Sequence, residues 1–265
     1  MSSDNHYEVY AVKYAERNDR TRADSFIMAD DHASTHPMDY FVWVVRNGQR
    51  TILVDTGYDA KEGQARERPI LIEPAEALAD IGIVPDTIDT VIVTHLHYDH
   101  AGGLDQFPEA TLHMQDAEME YATGRCMCHD TLRMPFTAGH VCEAIRRLYS
   151  GKVIFHSGAS EIAPGITVHQ VGGHSRGLQC VRVETANGPV LLASDASHYY
   201  ENFETGKPFP IVVDVEEMLA GFDFLSTEAR AGANVIPGHD PLVRERFPRA
   251  FEGSRADVRR LDVKA

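Results

Sequence analysis

Within six residues, His95, His97, Asp99 and His100 place three imidazoles and a carboxylate directly behind the apolar run Thr90-Val91-Ile92-Val93. Neutral imidazole and carboxylate are the ligands that borderline divalent metals such as zinc prefer. A strand that runs into a tight glycine-containing loop, here Ala101-Gly102-Gly103, turns alternate side chains the same way. His95 and His97 are therefore expected on one cation, with Asp99 and His100 reaching a second nearby. Two metals in one mouth imply hydrolytic chemistry. Polar decoration of a strand end is the plainer alternative, and four such residues at this spacing outweigh it.

Three further segments end in candidate ligands: Val171-Gly172-Gly173-His174, Leu191-Leu192-Ala193-Ser194-Asp195 and Val235-Ile236-Pro237-Gly238-His239. Each follows an apolar, strand-like run, so His174, Asp195 and His239 are expected to converge with the first cluster at one edge of the sheets. Asp55, in Val54-Asp55-Thr56-Gly57, leaves another buried strand and either orients a ligand histidine or caps the turn. Cys126-Met127-Cys128-His129 is a poor second clamp, because one residue between thiols does not suit tetrahedral ligation; small buried hydrophobes are the expected role.

The elements that must position these groups are legible from periodicity and turn residues. Strands are expected over Tyr7 to Val12, Asp39 to Val45 and Gln49 to Asp55, the last two joined by a hairpin at Arg46-Asn47-Gly48 in which Asn-Gly supplies positive φ. Pro74 to Ile81 reads as a helix that stops near Gly82. A strand at Ala110 to His113 and helices near Asp116 to Tyr121 and Val141 to Tyr149 follow the motif. Met127 to Gly139 has no clear period and is expected to be a loop overhanging the site. The second half then repeats the scheme, with strands at Lys152 to His156, Ile166 to Val171, Gln179 to Glu184, Pro189 to Ser194 and Asn234 to Ile236, and a helix over Val215 to Arg230. Strand-rich blocks alternating with helices, twice over, predict an α/β (α+β) chain with two mixed sheets face to face and helices outside, in one domain over 1–265.

The chain of 265 residues, 43% apolar and 25% charged, has the size and composition of an ordinary globular protein. No stretch approaches the length of a membrane span, so membrane insertion is not expected. A formal charge of −15 repels polyanions and excludes nucleic acid as an expected partner. Met1 to Glu8 lacks the basic and apolar regions of a secretory signal, and Cys126, Cys128, Cys142 and Cys180 form no CxxC pair or disulfide framework. A cytoplasmic location follows as the expectation.

Taken in order, His95-x-His97-x-Asp99-His100, His174, Asp195 and Pro237-Gly238-His239 resemble the metallo-β-lactamase superfamily over roughly residues 40 to 240. That resemblance implies an αββα sandwich. Val54-Asp55-Thr56-Gly57, Asp195-Ala196-Ser197, the run Glu201-Asn202-Phe203-Glu204 and the length resemble the N-acyl homoserine lactonase family within it. The resemblance implies His95, His97 and His174 on one metal, Asp99, His100 and His239 on the other, and Asp195 bridging both. It also implies two zinc ions, with iron, manganese or cobalt as other divalent choices; the expected partners are a small-molecule lactone and a second copy of the chain in a homodimer. One position departs: three residues after the bridging aspartate those lactonases carry a substrate-contacting tyrosine, and this chain has His198, followed by Tyr199 and Tyr200. Either His198 supplies an imidazole there, or His198 faces away and Tyr199 or Tyr200 fills the role.

The implied reaction is the opening of a small lactone, an N-acyl homoserine lactone or a relative, by metal-bound hydroxide. Asp99 is expected to relay the proton to the leaving alkoxide, and His198 or Tyr199 to donate to the oxyanion. A serine mechanism lacks its Gly-x-Ser-x-Gly elbow. A thioesterase of the glyoxalase II kind shares the motif, but the 26 residues after His239 are fewer than its glutathione-binding region needs. A di-iron redox protein on the same scaffold usually has Glu where this chain has His97. Met28, Met38, Tyr40, Phe136, Tyr199 and Phe209 are candidates for either pocket or core.

Overall fold

A computed structural model describes residues 6–28 and 30–263. Residues 1–5, which carry most of the segment read against a secretory signal, lie outside the described part. Twelve strands form among the described residues: β1 (Glu8–Arg17), β2 (Met38–Arg46), β3 (Thr51–Val54), β4 (Thr90–Ile92), β5 (Thr111–Gln115), β6 (Val153–His156), β7 (Ala159–Ala163), β8 (Ile166–Gln170), β9 (Gln179–Val183), β10 (Val190–Ser194), β11 (Asn234–Pro237) and β12 (Asp257–Arg260).

These strands make two mixed sheets, ordered β12-β1-β2-β3-β4-β5-β6 and β11-β10-β9-β8-β7, so the αββα sandwich expected from element order is the observed architecture. In the first sheet β12 to β3 are antiparallel and β3 to β6 parallel. In the second only the β10–β11 pair is parallel.

The period of two explains why β2 can be apolar on both faces. Tyr40, Val42 and Val44 enter a core shared with the helices Pro74–Asp80, Asp116–Thr123 and Ala138–Tyr149, which cover the outer face of the first sheet. Phe41, Trp43 and Val45 point the other way, into a core with Val181, Val183 and Leu191 of the second sheet. The helix Val215–Arg230 adds Met218, Phe222 and Leu225 to that second core.

Several expectations are corrected. The Lys152 to His156 strand does not start a second sheet; β6 pairs in parallel with β5 at the edge of the first. The strands β7 and β12 carry few large apolar residues and gave no sequence signal, and β12 returns the end of the chain to pair with β1. The 46–48 hairpin exists, yet neither Asn47 nor Gly48 has positive φ. The Asn47 side chain instead accepts the amides of Gln49 (2.9 Å) and Arg50 (3.1 Å), closing the turn without left-handed backbone. Residues 127–139 are not irregular: they contain parts of short helices at Arg125–Cys128 and Asp130–Arg133, and the start of the helix Ala138–Tyr149. Of the four thiols only Cys180 is buried; Cys128 and Cys142 are exposed and Cys126 is intermediate.

Candidate metal centre

The loop after β4 is held by the residue that ends β3. Asp55, at φ 59°, accepts the backbone amide of Thr94 on one carboxylate oxygen and the Thr94 hydroxyl on the other, both at 2.7 Å. Its second oxygen also lies 2.7 Å from His100 Nδ1. Both roles left open for Asp55 are thus filled by one side chain. His95 and His97 follow in the loop, His97 immediately precedes the short helix Tyr98–Ala101, and that helix presents Asp99 and His100. The register of β1 against β2 slips between Lys13 and Ala15, and Tyr14 at the slip donates its hydroxyl to the Asp99 carbonyl at 2.9 Å.

The remaining groups arrive from the second sheet. His174 follows two glycines at φ 73° and 81°; a Cβ on Gly173 would lie 2.6 Å from the Met218 backbone, so the approach of the strand exit to that helix demands glycine. Asp195 leaves β10 after Ser194, and His239 leaves β11 through Gly238. All seven predicted ligands are brought together at one edge of the sandwich, and all are at least nine-tenths buried.

Asp195 faces two nests. Its Oδ1 lies 3.0 Å from His239 Nε2 and 3.3 Å from His100 Nε2, while Oδ2 lies 3.2 Å from His174 Nε2 and 3.9 Å from His95 Nε2. Asp99 Oδ2 stands 3.8 Å from His239 Nε2 and 3.9 Å from His100 Nε2. His97 turns Nδ1 inward, 2.9 Å from His174 Nε2. The outward nitrogens are pinned: His174 Nδ1 lies 2.7 Å from the Ile211 carbonyl, and His239 Nδ1 lies 2.9 Å from the Asp39 carbonyl. Each such bond places the proton on Nδ1 and leaves the Nε2 lone pair for the centre.

The donor set fits divalent metal. His95 Nε2, His100 Nε2 and Asp195 Oδ1 are buried polar atoms without a hydrogen-bond partner, a costly state unless something else binds them. His95, His97 and His174 form one group whose ligand atoms lie within 4.8 Å of one another, and Asp99, His100 and His239 form another. Burial, reinforced by neighbouring imidazoles, pushes His95 and His97 well below the usual histidine range, and burial takes His174 down to about 3. Burial also opposes protonation of His100, but the carboxylates of Asp195, Asp55 and Asp99 overcome it and hold that ring well above the usual range. The carboxylates therefore call for positive charge between the nests, while most of the imidazoles are kept neutral and ready to ligate.

A narrow cleft of about 40 Å³ opens over the centre and is lined by Met38, Tyr40, Met134 and Ile211 among others. His198 lines it too: its Nε2 lies 3.0 Å from Asp195 Oδ2, its ring stacks on Phe209 at 3.8 Å, and its Nδ1 has no partner. Burial lowers His198 to about 4, so it is neutral at working pH. Tyr199 and Tyr200 are placed elsewhere. The Tyr199 hydroxyl donates to the Pro37 carbonyl at 3.1 Å with its ring against His36, and Tyr200 is buried under Arg246. Tyr199, a candidate oxyanion donor and pocket residue, is instead held against His36 and Pro37 and is not among the residues that line the cleft. Phe136 packs on His97 at 4.6 Å, whereas Met28 is 59% exposed and lies outside the cleft.

Residues that sequence reasoning missed are Glu118, Ile211, Arg20 and Arg68. Buried Glu118 accepts the amides of Leu96 (2.8 Å) and Gly177 (3.0 Å) and the Ser175 hydroxyl (2.5 Å), tying the His95–His97 loop to the His174 loop. Its position in the first turn of the helix Asp116–Thr123 makes it read as a helix-start acid. Ile211 acts through its carbonyl, for which no side-chain signal exists.

The family model described as the metallo-beta-lactamase superfamily matches residues 37–248. An N-acyl homoserine lactonase of Bacillus cereus is 33% identical over 199 residues, covering 69% of this chain and 70% of the relative. A probable metallo-hydrolase of Mycobacterium tuberculosis is 26% identical over 204 residues, covering 69% of this chain and 64% of its own length. Among solved structures, an N-acyl homoserine lactone hydrolase with the product N-hexanoyl-L-homoserine at its catalytic metal centre superimposes with a TM-score of 0.75 at 23% identity, over 91% of this chain and 95% of that one. A dizinc quorum-quenching lactonase gives 0.70 at 18% identity, over 89% and 88%.

Proposed function

This chain belongs to the metallo-β-lactamase superfamily, in its N-acyl homoserine lactonase-like branch, and on that premise we propose that it opens a small lactone ring at a centre of two zinc ions, with N-acyl homoserine lactones as reference substrates. The observation that carries this reading is Asp195, whose two oxygens are divided between two imidazole nests. His95, His97 and His174 would hold one cation and Asp99, His100 and His239 the other, with Asp195 facing both groups. Bound there, the cations supply Lewis acidity toward the carbonyl and a nucleophilic water near neutral pH.

The chain's own groups do the rest. Water adds to the acyl carbon, the endocyclic C–O bond breaks, and one water proton passes to the departing alkoxide through Asp99. Asp99 is the least buried of the seven and the one carboxylate among them not shared between the nests. His198 offers one nitrogen to Asp195 and one to a ligand, and takes the place of the substrate-contacting tyrosine; Tyr199 has no such role. Phe136 and Phe209 back His97 and His198 and fix their ring planes.

The wider reading is a quorum-quenching hydrolase working in the cytoplasm as a single domain, alone or as a homodimer, with no nucleic-acid partner. Its support is the set of four unpaired thiols and the formal charge of −15. Among the described residues no helix is long and apolar enough to cross a membrane.

The test is initial rates of zinc-loaded and chelated protein on short- and long-chain acyl homoserine lactones, simple lactones and a glutathione thioester. Chelator-sensitive lactone opening is expected, with most turnover and much metal affinity lost in His97→Ala and Asp99→Ala. Near-normal rates in either metal-loaded variant refute its role, and turnover of the thioester alone refutes the lactone assignment.

A further inference from the structure

The described part of the chain has three buried basic side chains, and two of them are neutralised. Lys13 pairs with Asp39 at 2.8 Å, and Arg147 pairs with Glu143 at 2.9 Å. Arg20, only 7% exposed, has no carboxylate within ion-pair distance among the described residues. One guanidinium nitrogen donates to the Asp24 carbonyl at 2.8 Å and the group also acts on the neutral Tyr199 hydroxyl, but Nε has no hydrogen-bond partner. A buried cation left this way is costly unless a ligand completes it.

Arg20 lines the cleft over the metal centre, and so does Arg68. Arg68 donates to the Tyr98 hydroxyl and lies over the Tyr98 ring at 5.2 Å; Asp99 acts on it from across the cleft, but no carboxylate among the described residues is within ion-pair distance. Tyr40 lines the same cleft, where both guanidiniums act electrostatically on its phenol, and its ring packs on His239 at 5.0 Å. Acids outnumber bases 40 to 25 in this sequence, so two unpaired arginines at one cleft are not a by-product of composition.

We propose that Arg20 and Arg68 form an anion seat, and that the lactone opened here carries a carboxylate which they hold while the ring carbonyl meets the metal centre. This rests on the lactonase reading and narrows it. The planar guanidinium fork matches a carboxylate bidentately, and seating a charge against a fixed donor sets which end of a small substrate points inward. Met38, Tyr40, Met134 and Ile211 give the cleft an apolar side that suits a compact ring, while Asp99 and Asp195, which also line it, belong to the metal centre, where bound cations would offset their charge. These arginines are specificity-determining residues; the reacting atoms belong to the metal centre.

The experiment compares γ-butyrolactone with its γ-carboxylate on zinc-loaded wild type, Arg20→Gln and Arg68→Gln. The expected wild-type kcat/KM favours the carboxylated ring, and each substitution lowers the charged-to-neutral ratio roughly 10- to 100-fold through KM, the range a charge-assisted hydrogen bond confers. A ratio that neither substitution moves overturns the proposal. Calorimetric binding of 3-oxocyclopentane-1-carboxylate against cyclopentanone, neither of which is hydrolysed, separates the two readings. Preference for the acid that both variants lose supports the seat even where no lactone turns over, a result that sinks only the lactonase assignment. Equal binding of acid and ketone overturns the seat. Arg68 is less buried than Arg20, so Arg68→Gln carries the test should Arg20→Gln fail to fold.

Discussion

Asp55→Asn keeps the side-chain volume and removes one acceptor. The carboxylate receives the Thr94 amide on one oxygen, and the Thr94 hydroxyl and His100 Nδ1 on the other. An amide oriented to satisfy the Thr94 backbone turns its NH2 toward His100, which frees that ring to rotate or change tautomer. Loss of such an orienting group typically costs 10–100-fold in metal affinity, so about that loss is expected at the His100 nest, with the other nest much less affected. Competition against a chromophoric chelator would show it as one weakened equivalent of two. Two equally weakened equivalents would mean that Asp55 shapes the whole loop rather than one ligand.

At the scale of elements, β5 and β6 bring His113 and His156 into a stacked pair, with ring nitrogens 3.0 Å apart. Burial, followed by the neighbouring His156, lowers His113 to about 4, and burial lowers His156 as well. Above the unfolded value of about 6.5 neither state of the chain binds these protons, so the stability is intact. Between about 6.5 and 4 the unfolded chain takes up protons that the folded pair refuses, and stability falls as the pH drops. Thermal midpoints measured across that window on metal-free protein should decline, and His113→Gln should flatten the decline. An unchanged slope in that variant would move the effect to other buried histidines such as His36, which burial also lowers to about 4.

For the whole molecule, the centre ties the two sheets together. His95, His97, Asp99 and His100 follow a strand of the first sheet, whereas Asp195 and His239 follow strands of the second, and His174 lies in the loop between two more of its strands. Metal bound only by the folded chain stabilises it by about 4 kcal/mol at a thousandfold excess over the dissociation constant, and a domain of this size shifts by roughly 2–4 °C per kcal/mol. Stripping the metal should therefore lower the thermal midpoint by about 8 °C or more per site, with recovery on adding zinc. A midpoint indifferent to chelation would contradict ligands shared between the sheets.

The fold class and the seven converging side chains were legible in the sequence because each cue is local. A ligand behind an apolar run marks a strand exit, and strand exits gather at one edge of a sandwich. His198 against Tyr199 was not legible, since a turn of one residue decides which ring faces the cleft, and packing of Tyr199 on His36 and Pro37 decided it. Nor was β12, whose Asp-Val-Arg-Arg sequence is a strand only because β1 offers an open edge. Arg20 sits in Arg17-Asn18-Asp19-Arg20, which reads as solvated surface. Sequence by itself determined the chemistry the chain can hold, because residue type and spacing set ligand character. Tertiary structure alone decided what that chemistry meets, because the burial that leaves Arg20 without a carboxylate depends on segments far apart in the chain.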